Sequence, residues 1–231
     1  MSLPINLMAV MLVRIMILSV FSTMLLIQWY KSSKRSYTDF KFLFGLQFIF
    51  MLISKITDLI IYEVIGSIDN LKSDPSNLML TKLRWTLMIS TITPVFSMMI
   101  FIWFNKDRRK QIIANSLFIV GSLLMILIAS DYTSLQVITT VMILPLMGMA
   151  IFTFLNLHVH RRLPKFNSLL MAISYFIYLV SQVLRPIITG TGDNNIWISE
   201  LIEAVTWLMM GLSFVIKPRF AVEKKKKIVM H

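Results

Sequence analysis

The chain has 231 residues, 57% of them hydrophobic and 15% charged, with a mean hydropathy of +0.76 and a formal net charge of +12. A soluble globular domain is about 45–50% apolar and about 25% charged, so the composition excludes an ordinary water-soluble domain. Cysteine is absent, which excludes disulfides, thiolate metal centres and thiol catalysis.

The apolar excess falls in seven blocks, each of roughly 20 residues, the length that crosses a hydrocarbon layer about 30 Å thick. The expected fold class is an all-α integral membrane protein. Its seven transmembrane helices lie at about 5–29, 42–65, 79–104, 111–130, 135–157, 166–188 and 196–216, one polytopic domain over 1–231 with a basic tail over 217–231.

Helix 1 follows a stretch, Met1 to Asn6, without the basic n-region of a secretory signal, and is expected to be retained as a span. It carries Arg14 and closes on Trp29 and Tyr30, residues suited to a membrane interface. Helix 2 places Gln47, Ser54 and Asp58 at helical spacing, with Lys55 and Glu63 also within the span. The segment after it, to about Leu78, contains Asp69, Asn70, Asp74 and Pro75 and reads as turns.

Helix 3 carries Arg84 and a stripe of Thr86, Ser90, Thr93 and Ser97, with Pro94 inside it and Trp85 and Trp103 near its ends. Helix 4 lacks ionisable residues in its apolar block. Helix 5 contains Pro145 and ends at His158 and His160, whose i, i+2 spacing directs them to different faces and argues against shared metal coordination. Helix 6 lines one face with Ser174, Tyr178, Ser181 and Arg185, with Gln182 beside them and Pro186 following. Helix 7 begins near Trp197 and carries Glu200, Glu203 and Trp207, the last expected to fill the core. Each proline removes a backbone donor and is expected to kink or end its helix.

Basic residues set the orientation. One side of the spans collects Lys31, Lys34, Arg35, Lys41, Lys106, Arg108, Arg109, Lys110, Arg161, Arg162, Lys165, Lys217, Arg219 and the run Lys224, Lys225, Lys226 and Lys227. The other side has only Lys72 and Lys82. Positive charge stays on the cytoplasmic side, so the N-terminus is expected outside and the C-terminus inside, in the plasma membrane. This distribution also accounts for the net charge without nucleic acid as a partner. The Lys224 to Lys227 run suits anionic lipid headgroups at about 1 kcal/mol per charge, or serves only as a topogenic signal.

Ionisable residues within spans are costly and normally face the bundle interior. The candidate ligand or ion pocket is therefore Arg14, Lys55, Asp58, Arg84, Tyr178, Gln182, Arg185, Glu200 and Glu203, mostly in the outer half. The bland alternative is that Glu63, Arg84, Glu200 and Glu203 extend to the outer interface. Arg185 needs an acidic partner: Asp58 is the first candidate, by a weak internal repeat, and Glu200 or Glu203 the second, by proximity in the chain. The repeat aligns Phe48 to Ile61 with Tyr175 to Ile188 at an offset of 127 and implies three helices, a linking helix 4, and three more.

No cofactor is expected. Helix 7 lacks a lysine for a retinal Schiff base before Lys217, and three histidines, one of them His231, supply no haem or zinc set. Nucleophile-elbow, P-loop and dinucleotide-binding motifs do not occur, and enzymatic function is not expected; the residual case is a cofactor-free lipid enzyme using Glu200 or Glu203. The preferred expectation is a receptor-like sensor with an outward-facing polar pocket, signalling through a separate protein partner. The alternatives are a small transporter or channel and an accessory subunit of a membrane complex.

Overall fold

The computed structural model describes residues 4–33, 36–65, 77–104, 107–163, 166–190, 195–218 and 220, with only the backbone described for Gln136, Thr139, Pro186, Ile187, Thr189 and Gly190. Every regular element among them is helical: α1 (Ile5–Tyr30), α2 (Phe40–Ile65), α3 (Leu78–Trp103), α4 (Arg108–Ile128), α5 (Tyr132–Val159), α6 (Ser168–Gly190) and α7 (Ile196–Leu212). The turns expected around Asp69 to Pro75, the basic residues Lys34, Arg35, Lys72, Lys106, Lys165, Arg219 and Lys224 to Lys227, and His231 lie outside the described residues.

Five of these helices, α1, α3, α4, α5 and α6, are long and apolar enough to cross a membrane. The other two fall outside that set: α2 carries Lys41, Lys55, Asp58 and Glu63, and α7 has 17 residues including Glu200 and Glu203.

Four of the helix starts, those of α2, α4, α5 and α6, carry side-chain caps, which satisfy free backbone N–H groups. The Asp39 carboxylate accepts from the Lys41 N–H, Asp107 from Lys110, Asp131 from Ser134, and the Asn167 side chain from Leu170. These caps move the starts of α2, α4 and α5 two or three residues ahead of the apolar blocks and delay α6 to Ser168. Neither Pro94, Pro145 nor Pro186 ends its helix. The last helix is shorter than expected. It stops at Leu212, where the Ser213 hydroxyl donates to the Met210 carbonyl, and the chain turns at 213–216.

The helices cluster into two compact units, Met1–Ile143 and Leu144–His231, with the division inside α5 beside Pro145. In the first unit α1 packs on α2, α2 on α3 and α3 on α4. Contacts between α1 and α2 pass from Trp29–Phe42 through Phe21–Phe48 to Arg14–Met51, so residue numbers fall in one helix as they rise in the other and the pair is antiparallel. Its closest approach is at Gly45, where an added Cβ would lie 2.8 Å from Leu26 Cδ2. Phe96 stacks on Phe118 and Lys82 donates to the Leu127 carbonyl at 2.9 Å, which joins α3 and α4 in the same antiparallel sense. Thus α4, expected as a link between halves, belongs to the first unit. Ile89, Ile126, Ala129 and Leu135 form a buried cluster there.

In the second unit α6 packs along α7. Phe154 of α5 stacks on Tyr175 and meets Phe166, and Phe166 meets Phe214 beyond α7.

Candidate functional site

Each unit holds one buried charge cluster, and in each the charges sit toward the end where two consecutive helices are connected. In the first unit Asp58 lies near the C-terminal end of α2, one helical turn beyond Lys55. The Lys55 ammonium donates to Asp58 Oδ2 at 2.9 Å, and Arg84 Nε of α3 donates to Oδ1 at 2.6 Å. The Arg84 guanidinium also lies 6.0 Å from the Trp85 ring centroid. Lys55 and Asp58 are almost completely buried, and the Arg84 side chain is 16% exposed.

In the second unit the i, i+4, i+7 face of α6 formed by Tyr178, Gln182 and Arg185 meets the face of α7 formed by Trp207, Glu203 and Glu200. Arg185 Nη1 donates to Glu203 Oε1 at 2.9 Å and Nη2 to Glu200 Oε1 at 3.0 Å. Gln182 Nε2 donates to the same Glu203 oxygen at 2.9 Å. One or two turns along, Tyr178 and Trp207 close the ladder as an edge-on ring pair with centroids 5.9 Å apart. The guanidinium bridges two carboxylates with donors on two separate nitrogens of one planar fork, whereas a lysine ammonium would have to offer both from a single nitrogen.

In both units, therefore, a charged residue takes its partner from the next helix in sequence. For Arg185 this is the pairing expected from chain proximity, with Glu200 and Glu203. Asp58, the residue that the repeat aligns with Arg185, makes the corresponding link to α3. Lys55 and Arg84 are thus two cations on one carboxylate, while Glu200 and Glu203 are two carboxylates on one cation.

Arg14 is completely buried between α1 and α2, its Nη2 3.6 Å from Met51 Sδ. Glu63 is exposed. Glu200 and Glu203 do not extend to an interface; both are 1% exposed. Trp207, expected in the core, is also 1% exposed and joins the ladder through Tyr178.

The hydroxyl stripe on α3 is structural. Thr86, Ser90 and Thr93 donate to carbonyls of their own helix, and Ser97 alone crosses, to Asn115 Oδ1 of α4 at 2.8 Å. On α6 the Ser174 and Ser181 hydroxyls likewise satisfy carbonyls of Leu170 and Tyr178. Such back-bonds let small polar residues sit in apolar surroundings without a ligand. Sequence inspection missed Lys82 as a cap on the last carbonyls of α4; its position, four residues into α3, was the available signal.

Among the described residues no three His, Asp or Glu side chains are grouped to hold a metal ion. At the end of α5, His160 Nδ1 lies 2.9 Å from the Asn156 carbonyl while the His158 ring faces Phe220. Comparison of the chain with protein-family models, with curated proteins and with solved structures found no match.

Proposed function

We propose that this protein is a seven-helix, receptor-like sensor of the plasma membrane, with its N-terminus outside and its C-terminus in the cytoplasm. It takes a polar or amphiphilic ligand in the outer half of the bundle and passes a helix rearrangement to a separate protein partner. The observation that carries this reading is one-sidedness. With that orientation the buried ionisable side chains Arg14, Lys55, Asp58, Glu200 and Glu203, and the slightly exposed Arg84 and Arg185, belong to the outer half. The buried polar residues toward the other end, among them Ser22, Gln47, Thr153 and Ser168, are uncharged. A receptor needs polar chemistry on one side; a transport path must at some stage reach both.

The pairing supports a reading of seven spans. A lone charge at the centre of a membrane helix costs about 2.5–3.5 kcal/mol, and α2 and α7 carry such charges. Their ion pairs to α3 and α6 offset that cost within the bundle. At 1.5 Å per residue the 26 residues of α2 extend about 39 Å and the 17 of α7 about 26 Å, the latter near the lower limit for a span.

The absence of cysteine makes the test direct. A single Gln182→Cys, at a half-buried site beside Glu203, is expected to react with a membrane-impermeant thiol reagent from outside only. Ser174→Cys, two turns earlier on α6, is expected to stay unreactive from the cytoplasmic side. Reaction of Gln182→Cys from both sides, switched by a solute or ion gradient, would replace the receptor with a transporter. No reaction from outside under any condition would eliminate the outward-facing pocket.

A further inference from the structure

At the far end of the second unit, away from the Arg185 cluster, α5 stops in an unusual way. The Arg162 N–H bonds to the Leu157 carbonyl at 3.1 Å and the Arg161 N–H to the His158 carbonyl at 3.0 Å, the paired bonds of a Schellman turn. The residue such a turn places in the left-handed region is usually glycine, because a Cβ there meets the following carbonyl. Here it is Arg161, at φ 51°, the only non-glycine residue with positive φ among the described residues. A strained backbone position occupied by a large side chain calls for a contact that the side chain makes.

That contact is with the chain's own C-terminal segment. The Arg161 guanidinium lies 6.0 Å from the Phe220 ring centroid, and the His158 ring is 6.1 Å away from the same ring. Among the described residues His158 Nδ1 is buried with no hydrogen-bond partner, so this ring serves as a packing surface. Between α7 and Phe220 the segment is fastened at further points. The Ser213 carbonyl accepts from the Asn167 N–H at 2.9 Å, Phe214 packs on Phe166 at 4.8 Å, and Pro218 is buried.

We infer that residues 213–218 together with Phe220 form a releasable latch, which ties the C-terminal end of α7 to the α5–α6 connection through Phe220 held by His158 and Arg161. An exposed guanidinium at the face of a half-buried ring contributes only about a two- to fivefold bias. The catch is therefore poised to open, whereas the Ser213 and Phe214 contacts hold the hinge. Opening removes one of the contacts that restrain the C-terminal end of α7 and so loosens its last turn, in the helix that carries Glu200 and Glu203 toward its other end. The latch rests on its own contacts and not on the receptor reading.

Chymotrypsin cleavage after Phe220 in the purified full chain, scored against cleavage at the exposed Tyr37, measures release. Arg161→Gly keeps the left-handed turn and removes the cation, and is expected to raise that ratio about two- to fivefold; Arg161→Lys is expected to raise it less. His158→Leu leaves the turn untouched and is expected to raise the ratio as well. Amide exchange over 208–212 is expected to increase together with cleavage. An unchanged ratio in both Arg161→Gly and His158→Leu would overturn the latch, and faster cleavage without faster exchange in α7 would reduce Phe220 to a local contact.

Discussion

A guanidinium shared between two buried carboxylates stabilises only as a set. Removing one member of a buried ion pair costs about 3–5 kcal/mol because the remaining charge is stranded. Arg185→Met is therefore expected to lower stability by about that amount, measured as unfolding in a mixed-detergent titration. The triple variant Arg185→Met with Glu200→Gln and Glu203→Gln is expected to lose less than the single one, since no charge is left behind. Additive losses would refute the coupling. In the first unit the roles invert: Asp58→Asn strands both Lys55 and Arg84, and is expected to be more damaging than Lys55→Met, which leaves the Arg84 bond in place. The members of both clusters were named from the sequence by residue type, since ionisable side chains in apolar blocks stand out, but as one set; their division into two groups was not legible there. The two rings beneath Arg185 were not equally legible: Tyr178 shares a stripe with Arg185, whereas Trp207 shares a face with Glu203, a spacing that pocket lining and core filling satisfy alike.

Helices are set here by apolar length and by the groups that begin and end them. Asp107 and Asp131 lie outside the spans, and each carboxyl is held below its ordinary value chiefly by a backbone N–H, that of Lys110 for Asp107 and that of Ser134 for Asp131. A lowered value in the folded state means that the stabilisation is present above the unfolded value, about 3.9, and is lost as pH falls through the folded one. Protection factors for the first turns of α4 and α5 should thus be flat above about pH 4 and fall below it. Asp107→Asn keeps a cap acceptor and is expected to abolish that fall in α4; the same fall in the variant would exclude Asp107 as its cause. Side-by-side packing offers a second test. A methyl at Gly45 would meet Leu26 at 2.8 and 2.9 Å, and overpacking of this kind costs about 1–3 kcal/mol. Gly45→Ala should destabilise the α1–α2 pair, with larger side chains worse, and Leu26→Ala should relieve part of the loss.

For the whole molecule, the orientation proposed from the basic residues has a direct check. Ser33 and Ser130 are exposed and lie in connections assigned to opposite sides. On intact cells Ser130→Cys is expected to react with an impermeant reagent and Ser33→Cys to be protected; the reverse pattern would invert the spatial reading, and with it the one-sidedness of the charges. Contacts divide the chain inside α5 and not at α4, although α4 is the connecting helix that the repeat called for. Packing explains the difference, because Phe118, Asn115 and the carbonyl of Leu127 all bind α4 to α3.

By itself the sequence determined the number, order and approximate ends of the helices, and which ionisable residues lie within them. These follow from hydropathy and from the 3.6-residue period, both of which act within one helix. It offered Glu200 and Glu203 as partners for Arg185 only second to Asp58, because a short connection joins α6 to α7 whereas the repeat favoured Asp58, which pairs with Lys55 and Arg84 instead. Tertiary structure alone decided that Lys55 and Arg84 share Asp58, that α4 joins the first unit, that α7 stops at Leu212 and that Phe220 returns to Arg161. Those outcomes depend on register between helices and on a chain reversal, which bring together residues up to about 60 positions apart, and no local pattern of hydropathy records such distances.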